Sequence, residues 1–269
     1  MCKGYETLDV SLTGREDDVF QITLNNGELN LVDGEMHGEL AQVFQDAYES
    51  DTRVVVLTGT GTAFSGGGDV NWMQRWVETP EYFEEVAREG EQIIESLVNI
   101  EKPVVAKING DATGLGANIA LCCDITVASS DARIGDPHVK VGLAAGDGGA
   151  VIWPLLMGLN RAKEFLMTGE LINATEAEDL GLVNHAVPEY ELDQKVDEIV
   201  ERLATLPQPA VRYTKLAVNK WLEQGLQSIL RESLAMESMS ARSPDHEEAV
   251  QAFLEGRQPD PPNARSPEE

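Results

Sequence analysis

The sequence predicts an α/β fold followed by an all-helical region, on three observations. The runs Val54-Val55-Val56-Leu57-Thr58 and Val104-Val105-Ala106-Lys107-Ile108 have the composition of strands buried on both faces. Each run leads through a glycine turn into a helical pattern, and strands alternating with helices indicate α/β architecture around one core. After Pro188 the strand pattern stops, and only helix spacing follows.

Taken in order, residues 19–24 alternate apolar and polar side chains, as a half-buried strand does, and end at the turn Asn25-Asn26-Gly27. Over 32–48, Met36, Leu40, Val43, Phe44 and Ala47 fall at helix spacing. Strand 54–58 passes through glycines to a helix starting at Asp69, and a helix over 81–97 precedes Lys102-Pro103. Strand 104–108, a glycine turn, helix 115–123 and strand 125–128 repeat the unit. Further helices are predicted over 149–157, 161–167 and 174–180, the last ending at Gly181. The helical region is predicted to contain helices over 192–205, 210–221, 226–239 and 245–255, with Pro207 and Pro209 breaking between the first two. The tail 259–269 is expected to fray. The chain thus divides into an α/β core, 1–205, and a helical appendage, 206–269.

Composition narrows the function classes. With 269 residues, 42% of them hydrophobic, the chain can bury a sizeable core. It has no run of about 18 apolar residues, which a membrane span requires. The start, Met1-Cys2-Lys3-Gly4-Tyr5-Glu6, lacks the apolar core of a signal peptide, so a cytoplasmic protein is expected. Cys2, Cys122 and Cys123 form neither a disulfide framework nor a zinc-binding spacing. Asp and Glu number 47 against 20 Lys and Arg, a formal net charge of −27, and the acidic residues are spread along the whole chain. Such a surface repels nucleic acid and anionic lipid. It also points to a halophilic source, where high salt screens the self-repulsion. The thermal unfolding midpoint is therefore expected to rise from low to molar KCl; a midpoint indifferent to salt would refute that assignment.

Three glycine-containing stretches carry the chemistry. Residues 134–149 place His138 and Asp147 nine positions apart among glycines, just before the apolar 150–156. An imidazole and a carboxylate so held can exchange protons near neutral pH. The second stretch, Ala63-Phe64-Ser65-Gly66-Gly67-Gly68-Asp69, follows a buried strand, and Asp69 suits a helix N-cap. Its glycines would expose backbone N–H groups to a ligand oxygen. Ser65 does not form a nucleophile elbow, because the leading glycine of that motif falls on Ala63. Gly59-Thr60-Gly61 is not a dinucleotide fingerprint, because the third glycine falls on Phe64. The third stretch, 109–118, again runs from strand through glycine turn to helix. Two helix N-termini brought to one place would aim two N–H donors at a single carbonyl oxygen, the geometry of an oxyanion hole. Asp147 also suits a cap for the helix beginning near Gly148, and Asn118 suits a hydrogen bond to a neighbouring loop. His37, His185 and His246 read as structural residues, and Asp69 and Asp124 as caps or turn residues.

These stretches, with Lys102-Pro103-Val104-Val105-Ala106, Leu121-Cys122-Cys123-Asp124-Ile125, Leu166-Met167-Thr168-Gly169-Glu170 and Ala177-Glu178-Asp179-Leu180-Gly181-Leu182-Val183, resemble the crotonase (enoyl-CoA hydratase/isomerase) superfamily from about Phe20 to Arg257. The resemblance implies a spiral of ββα turns with terminal helices for assembly into a homotrimer or hexamer. It implies an acyl-CoA thioester, or another small carbonyl substrate, with CoA entering only as part of the substrate and no metal. By motif position the oxyanion-hole donors would be the N–H groups of Gly68 and Leu115, with Ser65, Gly66, Gly67, Asp69 and Gly114 on the loops that hold the substrate. Phe253 resembles the C-terminal segment that reaches the adenine or phosphate end of CoA. Gly256 stands where the family often has Lys, and Arg257 follows.

The departures from the family pattern concern the acid–base residues. The family's hydratases carry two glutamates, and those positions here hold Asn118 and His138. Asn118 cannot transfer protons at ordinary pH and can only orient water or substrate. His138 and Asp147, with Gly146-Asp147-Gly148 and Trp153-Pro154, are similar to the β-diketone hydrolase branch of 6-oxocamphor hydrolase type, where a His/Asp pair supports C–C cleavage. Three functions follow as expectations. The first is an enzyme acting on an acyl-CoA through an enolate, with His138 and Asp147 in place of the glutamates. The second is a C–C bond hydrolase of a β-diketone (retro-Claisen), and the third a CoA-binding or scaffold subunit without activity.

Overall fold

The computed structural model describes residues 4–260. The chain enters through β1 (Leu8–Thr13) and β2 (Val19–Leu24), crosses α1 (Gly34–Glu49) to β3 (Val54–Gly59) and the short β4 (Ala63–Ser65), then forms α2 (Val70–Glu78) and α3 (Phe83–Val98). A second turn consists of β5 (Val104–Ile108), β6 (Asp111–Thr113) and α4 (Leu115–Leu121). A third consists of β7 (Ile125–Ser129), β8 (Arg133–Gly135), a 3-10 turn at His138–Val141, α5 (Gly149–Met157) and α6 (Leu159–Thr168). Then come β9 (Ile172–Asn173), α7 (Ala174–Asp179) and β10 (His185–Val187), followed by α8 (Glu189–Thr205), α9 (Gln208–Gly225), α10 (Arg231–Ala241) and α11 (Pro244–Leu254). Each turn adds one long strand to a six-stranded sheet, ordered β1-β2-β3-β5-β7-β10, and one short strand to a four-stranded sheet, ordered β4-β6-β8-β9. This is the expected spiral of ββα turns.

The β-branched runs are buried on both faces, as their composition predicts. In β3, Val55 and Leu57 enter the main core, whereas Val54 and Val56 face the other way with Val19, Val105 and Val127. That outer face is covered by Leu192, Val196, Val200 and Ala204 of α8, whose i, i+4 spacing presents one apolar stripe. Burying a side chain of Val or Leu size is worth about 1.5–3 kcal/mol, so α8 is an integral layer of the core. Lys102 serves the same core from its edge. Its Nζ donates to the carbonyls of Ala47 and Tyr48 at the end of α1, both at 2.7 Å, where a cation suits the unpaired carbonyls. Burial, with the Arg212 charge next, pushes its pKa down to about 8.

Several predicted boundaries shift for local reasons. The helix predicted over 81–97 begins as a 3-10 turn, Pro80–Tyr82, and becomes α-helical only at Phe83. α8 starts at Glu189, ahead of the predicted Leu192, because Pro188 sits at its N-cap and Glu189 and Glu191 suit the first turn. Pro209 does not separate helices but lies in the first turn of α9, where a missing N–H costs nothing. The span predicted as one helix over 226–239 opens with a π-turn, Leu226–Leu230, before α10. Cys122 and Cys123 are buried free thiols, and burial pushes Cys122 up to about 12. Cys2 and most of the tail predicted to fray lie outside the described residues. Among the described residues no helix is long and apolar enough to cross a membrane.

Candidate active site

The spiral delivers the ends of β4 and β6 side by side. Gly67 adopts φ +79°, and a Cβ there would meet the Thr113 carbonyl oxygen at 2.8 Å. Glycine is therefore needed both for the conformation and for the approach of the two loops. Gly114 has φ +55°, and a Cβ there would lie 3.6 Å from His138 Cε1 and 3.7 Å from Gly67 Cα, so three segments converge on this point. Leu115 is the first residue of α4, and its N–H has no partner within the helix. The parallel bridge between Val32 and Gly68 uses the Gly67 carbonyl and the Asp69 N–H, leaving the Gly68 N–H free among the described residues. Gly68 and Leu115 line the same cavity.

Other predicted loop residues support these two without lining the cavity. Ser65 is fully buried; its hydroxyl donates to Asn30 O at 2.8 Å and accepts the Gly67 N–H at 3.2 Å. Gly66 packs against Leu29 and Leu31. Asp69 is the N-cap of α2, accepting from Asn71 N at 2.8 Å.

His138 and Asp147 come together. His138 Nε2 lies 3.3 Å from Asp147 Oδ2 and 3.8 Å from Glu237 Oε1, and His138 Nδ1 pairs closely with Asp136 Oδ1. Asp147 does not cap α5: the N-cap is Gly148, at φ +115°, and among the described residues no side chain caps this helix. The Asn118 amide bridges the two aspartates, donating to Asp136 Oδ2 at 3.0 Å and Asp147 Oδ1 at 2.7 Å. Its carbonyl oxygen accepts the Trp153 Nε1–H at 3.1 Å, which fixes the amide orientation. Asn118 thus has both N–H donors committed to positioning carboxylates. Gly149 leaves room for Asp136, since a Cβ there would collide with Asp136 Oδ2.

The sequence alone does not single out Asp136, Trp153 or Glu237 as site residues. Asp136 lies in the 134–149 stretch, where the Asp136-Pro137-His138 spacing is a signal for it, and Trp153 lies in the Trp153-Pro154 pair. Glu237 has no local signal: it arrives on α10, which docks on the segment 134–149 where Ser233 Oγ donates to Gly146 O at 2.8 Å. A Cβ on Gly146 would lie 2.6 Å from Ser233 O, so that docking needs glycine. The helical appendage therefore contributes to the site. Glu237 is 5% exposed, and its Oε2 has no hydrogen-bond partner among the described residues.

The buried charges separate by protonation. Burial disfavours the His138 imidazolium, but the Asp136 and Asp147 carboxylates outweigh it and hold His138 well above the usual imidazole range. Burial likewise works against an ionised Asp136, yet the His138 charge and the hydrogen bonds from His138 and Asn118 hold it below the usual carboxyl range. Burial, then the Asp147 charge, pushes Glu237 well above that range. His138 and Glu237 are thus driven up and Asp136 down, and groups driven apart in this way mark candidates for acid and base roles. Because the folded state raises the His138 pKa, the stability this group contributes is full below its unfolded value and is lost as pH rises through the folded one. Asp147→Asn removes one of the charges responsible, so the alkaline limb of kcat/KM is expected to move to lower pH; an unmoved limb would show that His138 does not set it.

The cavity, of about 50 Å³, is walled by Trp72, Met73, Trp76, Phe83, Val86, Leu143 and Leu234, with His138, Asp147 and Glu237 on its polar side. Trp72 and Trp76 make an edge contact at 4.8 Å, and Trp76 and Phe83 another at 5.3 Å. Phe253 is 64% exposed on α11, and Arg257 is held by Glu248 and Glu255 at 2.5 and 2.6 Å; neither lines the cavity. Asp136, His138 and Asp147 bring ligand-type atoms within 4.8 Å of one another, the described group most able to hold a metal. Their hydrogen bonds to each other and to Asn118 already occupy much of that capacity.

Residues 14–262 match the family model described as enoyl-CoA hydratase/isomerase. The short-chain-enoyl-CoA hydratase of Clostridium acetobutylicum is 34% identical over 253 residues, covering 90% of this chain and 94% of the relative. Among solved structures, an enoyl-CoA hydratase/isomerase from Mycobacterium paratuberculosis superposes with a TM-score of 0.85 at 36% identity, over 93% of this chain and 99% of that one. A β-diketone hydrolase from the cyanobacterium Anabaena, bound to (S)-3-oxocyclohexyl acetic acid, superposes with a TM-score of 0.82 at 32% identity, over 88% and 95%. The chain belongs to the enoyl-CoA hydratase/isomerase family and is a crotonase-superfamily enzyme.

Proposed function

We propose that this enzyme acts on an acyl-CoA thioester through an enolate, with His138 and Asp147 replacing the paired glutamates of the family's hydratases. The observation that carries the reading is one cavity shared by the free Gly68 and Leu115 N–H groups and the clamped His138. The thioester carbonyl accepts both N–H donors, which stabilise the negative charge that develops on oxygen when the neighbouring carbon becomes an enolate. His138 transfers the proton at that carbon through Nε2. Asp147 balances the imidazolium and takes a proton from water when water is the nucleophile. Asn118 holds both aspartates in place, and the protonated Glu237 supplies a second donor. Incubation with crotonyl-CoA tests the reading: loss of the enoyl chromophore, abolished by His138→Ala, supports it.

A second reading, C–C hydrolysis of a β-diketone, is favoured by one specific observation. Arg257, the cation nearest the family's CoA-binding position, is already paired with two glutamates. A ring diketone needs no phosphate contacts, and the Anabaena neighbour is a β-diketone hydrolase. Cleavage of a cyclic 1,3-diketone without turnover of any enoyl-CoA would select this reading. CoA binding without turnover of either substrate would select a binding subunit. We further infer a homotrimer or hexamer, supported by exposed apolar side chains on the C-terminal helices, among them Tyr213, Val218 and Trp221 on α9 and Met236 and Met239 on α10. Sedimentation as a monomer would contradict it.

A further inference from the structure

A second histidine–carboxylate pair lines the same cavity. His37 of α1 is 3% exposed, and its Nδ1 lies 2.8 Å from Glu89 Oε2 of α3. Its ring tilts against Trp72, with centroids 5.2 Å apart. Glu89 is partly exposed and holds the pair from the outside, so Nε2 is the atom left over. No described residue hydrogen-bonds His37 Nε2. A Cβ on Gly90 would lie 4.0 Å from that atom, and Gly90 and His37 both line the cavity. The same cavity is lined by the apolar or aromatic Trp72, Val86, Ala87 and Leu234, with His138, Asp147 and Glu237 as its other polar residues.

A ligand that displaces water from this nitrogen must replace its hydrogen bond, because burying the atom unpaired forfeits its hydration. The proton-transfer chemistry assigned to His138 does not use His37, and the core does not satisfy it. With Nδ1–H donated to Glu89, Nε2 accepts a hydrogen bond when the ring is neutral and donates one when it is charged. A hydroxyl group satisfies either state, since it both donates and accepts.

We propose that His37 and Glu89 form a polar subsite within the acyl cavity that selects an acyl group carrying a hydroxyl away from the thioester carbonyl. This rests on the acyl-CoA reading above and adds a substrate class to it. A site built to hydrogen-bond a substrate hydroxyl discriminates against the analogue lacking it, because the buried group is then left unpaired. His37 is a specificity-determining residue, separate from the proton-transfer group.

The test is the Kd of hexanoyl-CoA and of 5-hydroxyhexanoyl-CoA for the full-length protein, in wild type, His37→Phe, Glu89→Leu and His138→Gln. The expected result is binding of the hydroxylated thioester about tenfold tighter by wild type and by His138→Gln, a difference of about 1.4 kcal/mol. His37→Phe keeps a ring against Trp72 and is expected to remove the preference by weakening only the hydroxylated ligand. Glu89→Leu changes a partly exposed position and is expected to reduce the preference even if His37→Phe folds poorly. Equal Kd values in wild type would overturn the subsite while leaving the acyl-CoA reading intact. Equal weakening of both ligands by His37→Phe and by Glu89→Leu would reduce the pair to a structural role and also overturn it. Binding of neither thioester would overturn both the subsite and the acyl-CoA reading.

Discussion

His138→Ala is expected to lower kcat on the productive substrate by about 10²- to 10⁴-fold, the usual contribution of a positioned proton-transfer group. KM should change little, because the substrate's other contacts with the cavity remain. The same substitution leaves the buried Asp136 and Asp147 carboxylates without their cation, and breaking a buried pair costs about 3–5 kcal/mol of stability. The sign of the pH dependence separates the two effects. Lowering the pH protonates the orphaned carboxylates and should recover stability in the variant without restoring turnover. His138→Gln, which retains a hydrogen-bonding side chain, should keep more of the stability and still lack activity. Steady-state kinetics beside thermal melts at two pH values check this. Full activity in either variant would remove His138 from the mechanism.

Leu115→Pro is the most selective way to delete a backbone donor from this site. Leu115 occupies the first position of α4, where proline's fixed φ is compatible with the helix and only an N–H without an intrahelical partner is lost. Loss of one oxyanion-hole donor typically costs about 10²- to 10³-fold in kcat. Leu115 is also 5% exposed, so a smaller side chain costs some core packing, and Leu115→Val controls for that loss. The expected pattern is a stability loss common to both variants and a collapse of kcat confined to the proline variant. Equal activity in the two would show that the Leu115 N–H does not stabilise the reacting oxygen.

Much of this organisation is legible in the chain because it follows local rules. The β-branched content of 54–58 and 104–108 announces strands covered on both faces, and the structure supplies the main core on one face and α8 on the other. The glycines at 66–68 and 114 mark turns that only glycine conformations and close backbone approach allow. His138 and Asp147 lie within one short segment, so their pairing can be anticipated. What escapes is whatever arrives from far along the chain. Glu237 reaches the cavity on a helix whose sequence reads as surface and assembly, and nothing local to α10 signals the bare Gly146 on which it docks. Asn118 depends on Trp153 for its orientation, and Asp147 fits a helix cap in sequence whereas Gly148 occupies that place in the fold. His37 illustrates the same limit: its helix spacing gives a core residue, whereas its pairing with Glu89 and its bare Nε2 exist only after α1 packs on α3.

The central claim is that this cavity forms and quenches an enolate with His138 as the proton-transfer group. Proton exchange measures this directly, without waiting for the full reaction. A saturated acyl-CoA, butyryl-CoA, is incubated with the enzyme in D₂O at alkaline pH, where a neutral fraction of His138 is available to take the α-proton, and deuterium entering the carbon beside the thioester carbonyl is followed by proton NMR. The account predicts exchange by wild type that greatly exceeds the uncatalysed rate and falls to background in His138→Ala. Exchange that persists undiminished in His138→Ala, or none in the wild-type enzyme, would contradict it.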